Sequence, residues 1–216
     1  MKVVTLSRNA TNVKLLIESI LKNEPGFDLA DFIVVADGPV EQWEQLSPRP
    51  TILQGEQPFV FARNANIGIR HANSDVILMN DDTELVTFRG FTNLSQAERR
   101  GITSAKIDGY GAVYVDHFCA FVCVFIPKLT QERVGLLDER FVLYGYEDDD
   151  YCRRVRQQSL PINLCGECVV KHYHPDRSTF HGEGGLYAGD NMVAFDKKWG
   201  IKREYIWPEH LEQIKE

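Results

Sequence analysis

Three places in the chain gather side chains that can do chemistry. The first is Asn80-Asp81-Asp82-Thr83, which follows the apolar run Ile77-Leu78-Met79 with no spacer. Hard divalent cations take oxygen ligands, and Mg²⁺ characteristically takes one or two carboxylates together with substrate phosphates. Two carboxylates at the end of a buried strand suit such a bridge. An Asp turn that caps a following helix has the same composition.

The second place is Glu147-Asp148-Asp149-Asp150, behind Tyr144-Gly145-Tyr146 and ahead of Arg153 and Arg154. Four adjacent acids repel one another unless a cation, a helix N-terminus or solvent offsets them. A helix start stabilises each by about 0.3–1 kcal/mol through the macrodipole. One acid projecting into a cleft would act as a general base, its pKa tuned by its neighbours. The two readings are compatible, and the aromatic lead-in would wall the cleft.

The third place is His172-Tyr173-His174. Residues at i and i+2 of a strand share a face, and a neutral imidazole ligates metals. Cys165-Gly166-Glu167-Cys168 lies just upstream, so a Cys₂His₂ zinc set on Cys165, Cys168, His172 and His174 competes for the same histidines. Its spacing is short for a zinc finger, with one residue between the histidines where three to five are usual.

The elements that must position these groups alternate. Lys2 to Ser7 is predicted to be a buried strand. Asn12 to Lys22 carries apolar residues at helical spacing, with Asn9 or Thr11 as N-cap and Pro25-Gly26 as stop signal. Phe32 to Ala36 is predicted as a strand closed by the turn Asp37-Gly38-Pro39. Thr51 to Leu53 is a third strand, Ala62 to Ala72 a helix and Asp75 to Met79 a fourth strand. Strands separated by helices imply βαβ units and a mostly parallel sheet. Ligands of open α/β sheets bind beyond the carboxyl ends of the strands, which singles out the loops after Leu6, Ala36 and Met79. Further on, Tyr110 to Val115, Phe118 to Ile126 and Cys168 to His174 read as strands. Asp149 to Gln158 and Gly189 to Trp199 read as helices.

The chain has 216 residues, 44% of them hydrophobic and 25% charged, an ordinary globular composition for one domain. Lys+Arg is 24 and Asp+Glu 31, a formal charge of −7. An acidic chain is a poor general nucleic-acid binder, since phosphate neutralisation needs a basic surface. No run approaches the roughly 20 apolar residues of a membrane span. Five scattered cysteines and no export signal read as reduced thiols in a cytoplasm. The P-loop, the G-x-G-x-x-G fingerprint and the G-x-S-x-G elbow are all missing from the sequence.

Taken in order, the motifs resemble the family-2 glycosyltransferases of the GT-A fold, from about Val3 to Gly200. Val3-Val4-Thr5-Leu6-Ser7-Arg8-Asn9 is similar to that family's first strand and nucleotide loop, and Ile33-Val34-Val35-Ala36-Asp37-Gly38 to its second. Asn66-Ile67-Gly68-Ile69-Arg70-His71-Ala72 resembles its N-x-G-I-x-x-A helix. Asn80-Asp81-Asp82 stands where it carries a D-x-D-like metal motif, with Asn80 in place of the first acid. Gly135 to Phe141 resembles its G-x-F-D-E-x-F segment, and Glu147 to Arg154 its E-D-x-D-L-x-x-R signature. His172 or His174, then Ser178-Thr179, resembles the histidine that completes the metal site. The spacing to Thr179-Phe180 favours His174. Tyr187 to Gly200, with Asn191 and Lys198-Trp199-Gly200, is similar to the closing helix.

The resemblance implies an α/β, GT-A-type single domain with a mostly parallel central sheet flanked by helices and a smaller acceptor-side segment. Residues 1–105 would form the nucleotide-sugar-binding half, 106–200 the acceptor-binding and catalytic half, and 201–216 a C-terminal tail. It implies an inverting transfer from a nucleotide diphospho-sugar to a glycan, protein or small-molecule hydroxyl, with Mn²⁺ or Mg²⁺. Asp148 would be the general base, oriented by Glu147. Ser7, Asn9, Asp37, Arg63, Asn66, Asn80 and Asp81 would contact the donor, Asp37 at its base and Asp81 at its ribose. Asp82 and His174 or His172 would hold the metal. Asp150, Arg154 and Tyr146 would serve the acceptor side.

Three other classes fit parts of the sequence. A non-catalytic sugar-nucleotide or carbohydrate binding module would keep the fold without turnover. A nucleotidyltransferase would carry a Gly-rich basic loop after the first strand, where this chain has Ser7-Arg8-Asn9-Ala10-Thr11. A zinc-stabilised interaction domain would use the cysteines.

Overall fold

The run Lys2-Val3-Val4-Thr5-Leu6-Ser7 has no room for a solvent-facing side, and it forms the central strand β1 (Lys2–Ser7). The computed structural model describes residues 1–46, 49–97, 99–109, 118–174, 176–177 and 188–202. Helix α1 (Ala10–Asn23) starts at Asn9, whose side chain accepts from the N–H groups of Thr11 and Asn12. The next elements are β2 (Phe32–Ala36), β3 (Thr51–Gln54), α2 (Phe61–Ala72) and β4 (Val76–Met79). These match the sequence expectations to within a residue or two.

The later part departs further. β5 (Thr83–Leu85), α3 (Gly90–Gln96), β6 (Ile102–Ile107) and α4 (Lys128–Val134) had no sequence prediction. The strand expected over Phe118 to Ile126 is confined to β7 (Cys123–Ile126). The residues before it run as irregular backbone and line a pocket. Helix α5 (Glu147–Gln157) starts two residues earlier than expected, so that all four acids occupy its first turn. β8 (Ile162–His172) begins six residues before the expected start, and α6 (Ala188–Trp199) closes the described fold. The predicted strand Tyr110 to Val115 lies outside the described residues.

The strands among the described residues form one eight-stranded sheet in the order β3-β2-β1-β4-β7-β6-β8-β5. β3, β2, β1 and β4 run parallel, as do β6 and β8, whereas β7 and β5 run antiparallel to their neighbours. Six of the eight strands therefore point the same way, and the sheet is mostly parallel. Side-chain alternation serves both faces. Val3, Val34 and Ile77 pack on one side with Leu16 and Phe91, while Val4, Ile33 and Leu78 pack on the other with Ile69 and Tyr151. Helices cover both faces, so the central strands are buried on both sides and mostly apolar, Thr5 being a buried polar exception in β1.

Gly68 sets how closely α2 approaches the sheet. A Cβ there would come within 2.4 Å of Val4 Cγ1 and 3.1 Å of Val35 Cγ2. Only glycine lets this helix settle on β1 and β2 at that distance.

Candidate active site

β1, β2 and β4 end on the same edge of the sheet, and the polar residues that follow them meet there. Ser7 Oγ donates to Asp81 Oδ2 at 2.6 Å, and Asn12 Nδ2 lies 3.5 Å from the same oxygen. Asn12 also donates to the Arg177 carbonyl at 2.9 Å, fastening the segment after His174 to this edge. Asp37 is buried and held by Arg8, with Nε and a terminal guanidinium nitrogen 2.9 and 2.7 Å from Oδ2. Gln57 donates to its other oxygen.

A pocket of about 290 Å³ opens beside this cluster. Its lining includes Asn80, Asp81, Asp82, His172 and His174 together with Glu147 and Asp148. Phe59, Phe61, Phe121 and Tyr144 supply aromatic wall. β5 and β8 bring the histidines here by pairing Thr83 with His172. His172 Nε2 lies 3.2 Å from Asp82 Oδ1, and the His174 ring stacks on the His172 ring with centroids 5.8 Å apart. The two histidines left open by the sequence therefore share one pocket, and His172 is the one against Asp82.

The carboxylates have unusual proton affinities. Burial pushes Asp81 up to about 7, against the hydrogen bond from Ser7, and the Asp82 charge adds to the rise. Burial lifts Glu147 to about 8, reinforced by Asp148. Asp148 rises to about 6 through burial and the Asp149 charge, against N–H bonds from Asp149 and Phe121. A carboxylate near 6 in a cleft is mostly ionised at neutral pH yet still basic enough to act as a general base. Glu147 is 6% exposed and accepts from the Gly145 N–H. Helix α5 thus starts on a left-handed Tyr146 (φ 73°) without a side-chain cap, and the Glu147 carboxyl folds back onto the Gly145 N–H.

Not every sequence candidate reaches the pocket. Asn9 spends its side chain capping α1. Arg63 pairs with Glu56 and donates to the Pro58 carbonyl. Asn66 is buried and bonds to both main-chain groups of Leu137 at 2.9 Å, so it fastens the 137–139 segment to α2. Asp150 is fully buried between Arg154, Lys198 and Trp199. Arg154 extends away from the pocket to the Val134 carbonyl. Tyr146 packs its ring on Phe195 at 5.4 Å. Ser178, Thr179 and Tyr187 lie outside the described residues.

The zinc set is parted. Cys168 shares a hydrogen bond with Cys123, which together with burial raises its thiol above the ordinary range. Cys165 Sγ lies 3.8 Å from a Glu167 carboxylate oxygen. Both cysteines belong to the core on one sheet face, whereas His172 turns to Asp82. All five cysteines are free thiols. Among the described residues, no group of three or more His, Cys, Asp or Glu is placed to hold a metal.

Sequence reasoning missed Asn12 and the stretch Ala120 to Val122. Asn12 left a trace, because it and Ser19 are polar residues seven apart on the apolar face of α1. Ala120 to Val122 left none, since an apolar run that lines a pocket reads as a strand.

No family model matches the chain. A stretch of 66 residues, 30% of this chain, is 30% identical to the low-salt glycan biosynthesis hexosyltransferase Agl10 of Haloferax volcanii and covers 21% of that protein. The mannosyltransferase PcManGT from Pyrobaculum calidifontis, solved with GDP-Man and Mn²⁺, superposes with a TM-score of 0.70 at 14% identity, over 95% of this chain and 65% of that one. GalNAc-T7, solved with UDP, GalNAc and Mn²⁺, gives 0.67 at 14% identity over 79% and 43%. The 1–349 portion of S. aureus TarS gives 0.61 at 13% identity over 100% and 78%. The chain thus spans less than half of GalNAc-T7, and its match to Agl10 about a fifth of that protein. The shared architecture is the GT-A fold of the glycosyltransferases. No helix among the described residues is long and apolar enough to cross a membrane.

Proposed function

We propose that this chain is a metal-dependent inverting glycosyltransferase. It moves a sugar from a nucleotide diphospho-sugar to an acceptor hydroxyl. The observation that carries the reading is one pocket lined together by the contacting pair Asp82 and His172 and by Asp148 and Glu147. The GT-A fold, shared with one structure that holds UDP and Mn²⁺ and another that holds GDP-Man and Mn²⁺, supports it.

The donor's nucleotide would lie across the carboxyl ends of β1, β2 and β4, with Asp37 toward its base and Asp81 toward its ribose. Asn80 lines the same edge. Arg8 holds the Asp37 carboxylate in place, and Ser7 holds that of Asp81. Residues 1–105 would form this donor half, and 106–200 the acceptor half.

The residues present fit a divalent cation. Asp82 offers a hard carboxylate oxygen, and His172 offers a ring nitrogen beside it, with His174 adjacent. A Mg²⁺ or Mn²⁺ site completed by substrate phosphates needs only one or two protein carboxylates. Asp82 with His172 or His174 would hold the ion, which when bound supplies stabilisation of negative charge on the leaving diphosphate.

Asp148 takes the proton from the acceptor hydroxyl as that oxygen attacks the anomeric carbon from the side opposite the departing diphosphate. The result is inversion. The N–H groups of Asp149 and Phe121 fix the orientation of its carboxylate. Glu147, protonated at neutral pH, stays uncharged and avoids a second negative charge directly beside Asp148. The aromatic wall excludes water that would otherwise compete as acceptor.

The test is calorimetric titration of UDP, GDP and dTDP with and without Mn²⁺, followed by turnover with the matching sugar nucleotides. Mn²⁺-dependent binding of one nucleotide and transfer with inverted product stereochemistry are expected. Binding without transfer overturns the catalytic reading in favour of a binding module, and no binding by folded protein overturns the donor site.

A further inference from the structure

Asn191 lies on α6, is 1% exposed, and hydrogen-bonds main-chain atoms of the loop beside the pocket. Its Oδ1 accepts from the Val142 N–H at 2.8 Å. Its Nδ2 donates to the carbonyls of Val142 at 2.8 Å, Tyr144 at 3.1 Å and Gly145 at 3.1 Å. An amide nitrogen has two hydrogens for these three acceptors, so one hydrogen is shared.

The loop it holds is strained. Leu143, Gly145 and Tyr146 have φ of 57°, 102° and 73°, and two of these three carry a Cβ in the left-handed region. Such conformations persist only where surroundings over-determine them. The same loop delivers Tyr144 and Gly145 to the pocket, and the Gly145 N–H bonds Glu147. α6 grips α5 as well. Lys198 Nζ lies 2.5 Å from Asp150, and Trp199 Nε1 donates to Asp150 at 3.0 Å.

We propose that Asn191 is a positioning residue: by fixing the 142–145 loop it sets where the carboxyl groups of Glu147 and Asp148 stand in the pocket, and so governs the rate of transfer and not the affinity for donor. This rests on the transferase reading given above. Its bonds reach the loop that opens α5, whereas the donor's nucleotide is assigned to residues after β1, β2 and β4.

Asn191→Ala and Asn191→Ser test it, the serine keeping a small polar group for the case in which alanine does not fold. For a folded variant, kcat is expected to fall by at least 30-fold. KM for donor and Mn²⁺-dependent nucleotide affinity should stay within threefold. Carboxyl NMR titrations should show Glu147 moving down from about 8 as the loop loosens and water enters. An unchanged kcat together with unmoved titrations of Glu147 and Asp148 overturns the proposal. A donor affinity that falls as far as kcat also overturns it, because the role is then general integrity. Should the wild-type chain transfer no sugar, the titrations decide alone. Moved titrations keep the clamp while the transferase reading falls, and unmoved ones remove the clamp whatever the activity.

Discussion

Ser7 Oγ and Asp81 Oδ2, 2.6 Å apart, tie the ends of two adjacent parallel strands together at the edge proposed to take the donor. The bond is buried, and it opposes the rise in the Asp81 pKa that burial imposes. Ser7→Ala leaves Asp81 with Asn12 as its remaining side-chain donor. The loss of a hydrogen bond to a carboxylate costs about 1.5–3 kcal/mol of stability, and with Asp81 less firmly held nucleotide affinity should fall. Calorimetry on the variant checks this, with an unchanged Kd counting against Asp81 as a donor contact.

The contact of His172 Nε2 with Asp82 Oδ1 gives an ordering among three variants. Asp82→Ala and His172→Ala should each remove most of the Mn²⁺-dependent gain in nucleotide affinity. His174→Ala, one ring further out, should keep more of it. Mn²⁺ titrations followed by electron paramagnetic resonance read the ordering directly. The reverse order would assign the metal to His174.

The two acids at the start of α5 predict opposite pH effects on rate and on stability. As Asp148 must be ionised to accept a proton, kcat should rise through pH of about 6. Asp148→Asn should lower kcat by about 10²–10⁴ and leave nucleotide binding intact. Glu147 titrates near 8 when folded and at its ordinary 4.5 when unfolded. The folded chain therefore binds the extra proton between those values, and stability falls as pH rises through that window. Glu147→Gln removes this dependence. Its Tm relative to wild type should increase between pH 5 and pH 9, which a series of thermal melts would show.

Gly68→Ala should be costly although the site is helical. The added Cβ at 2.4 Å from Val4 Cγ1 forces α2 off the sheet. Overpacking of this kind costs about 1–3 kcal/mol. Urea denaturation gives the value, and an unchanged midpoint would mean that α2 can slide without loss.

What the sequence disclosed follows the strength of its periodicity. β1, β2 and β4 are apolar on both faces and bounded by turn residues, so they were legible. α1, α2 and α6 carry a helical stripe. β6, with Thr103, Ser104 and Lys106 among its six residues, has no such contrast. α3 begins Gly-Phe-Thr-Asn, a poor helix start, and depends on the buried Glu24 carboxylate, which accepts from the N–H groups of Phe91 and Thr92. β8 was read from Cys168 because its first half, Ile162 to Glu167, mixes polar residues with Gly166. There the register to β6 jumps from Cys165 to Val169. The site motifs were visible as residue types, but their directions were not. Asp148 and Asp150 are two positions apart on a helix, about 200° around its axis. One therefore lines the pocket while the other is buried against α6, and only the packing of α5 decides which.

The bonds from Asn191 end on the main chain of Val142, Tyr144 and Gly145, and Asn66 reaches the main chain of Leu137 in the same way. Staples of this kind ignore the identity of the side chains they hold. The 142–145 loop can therefore exchange side chains while its backbone path, and with it the proposed stance of Asp148, stays fixed. In engineering terms, Tyr144, which lines the pocket, is a position at which to diversify, and Asn66 and Asn191 are the ones to leave alone.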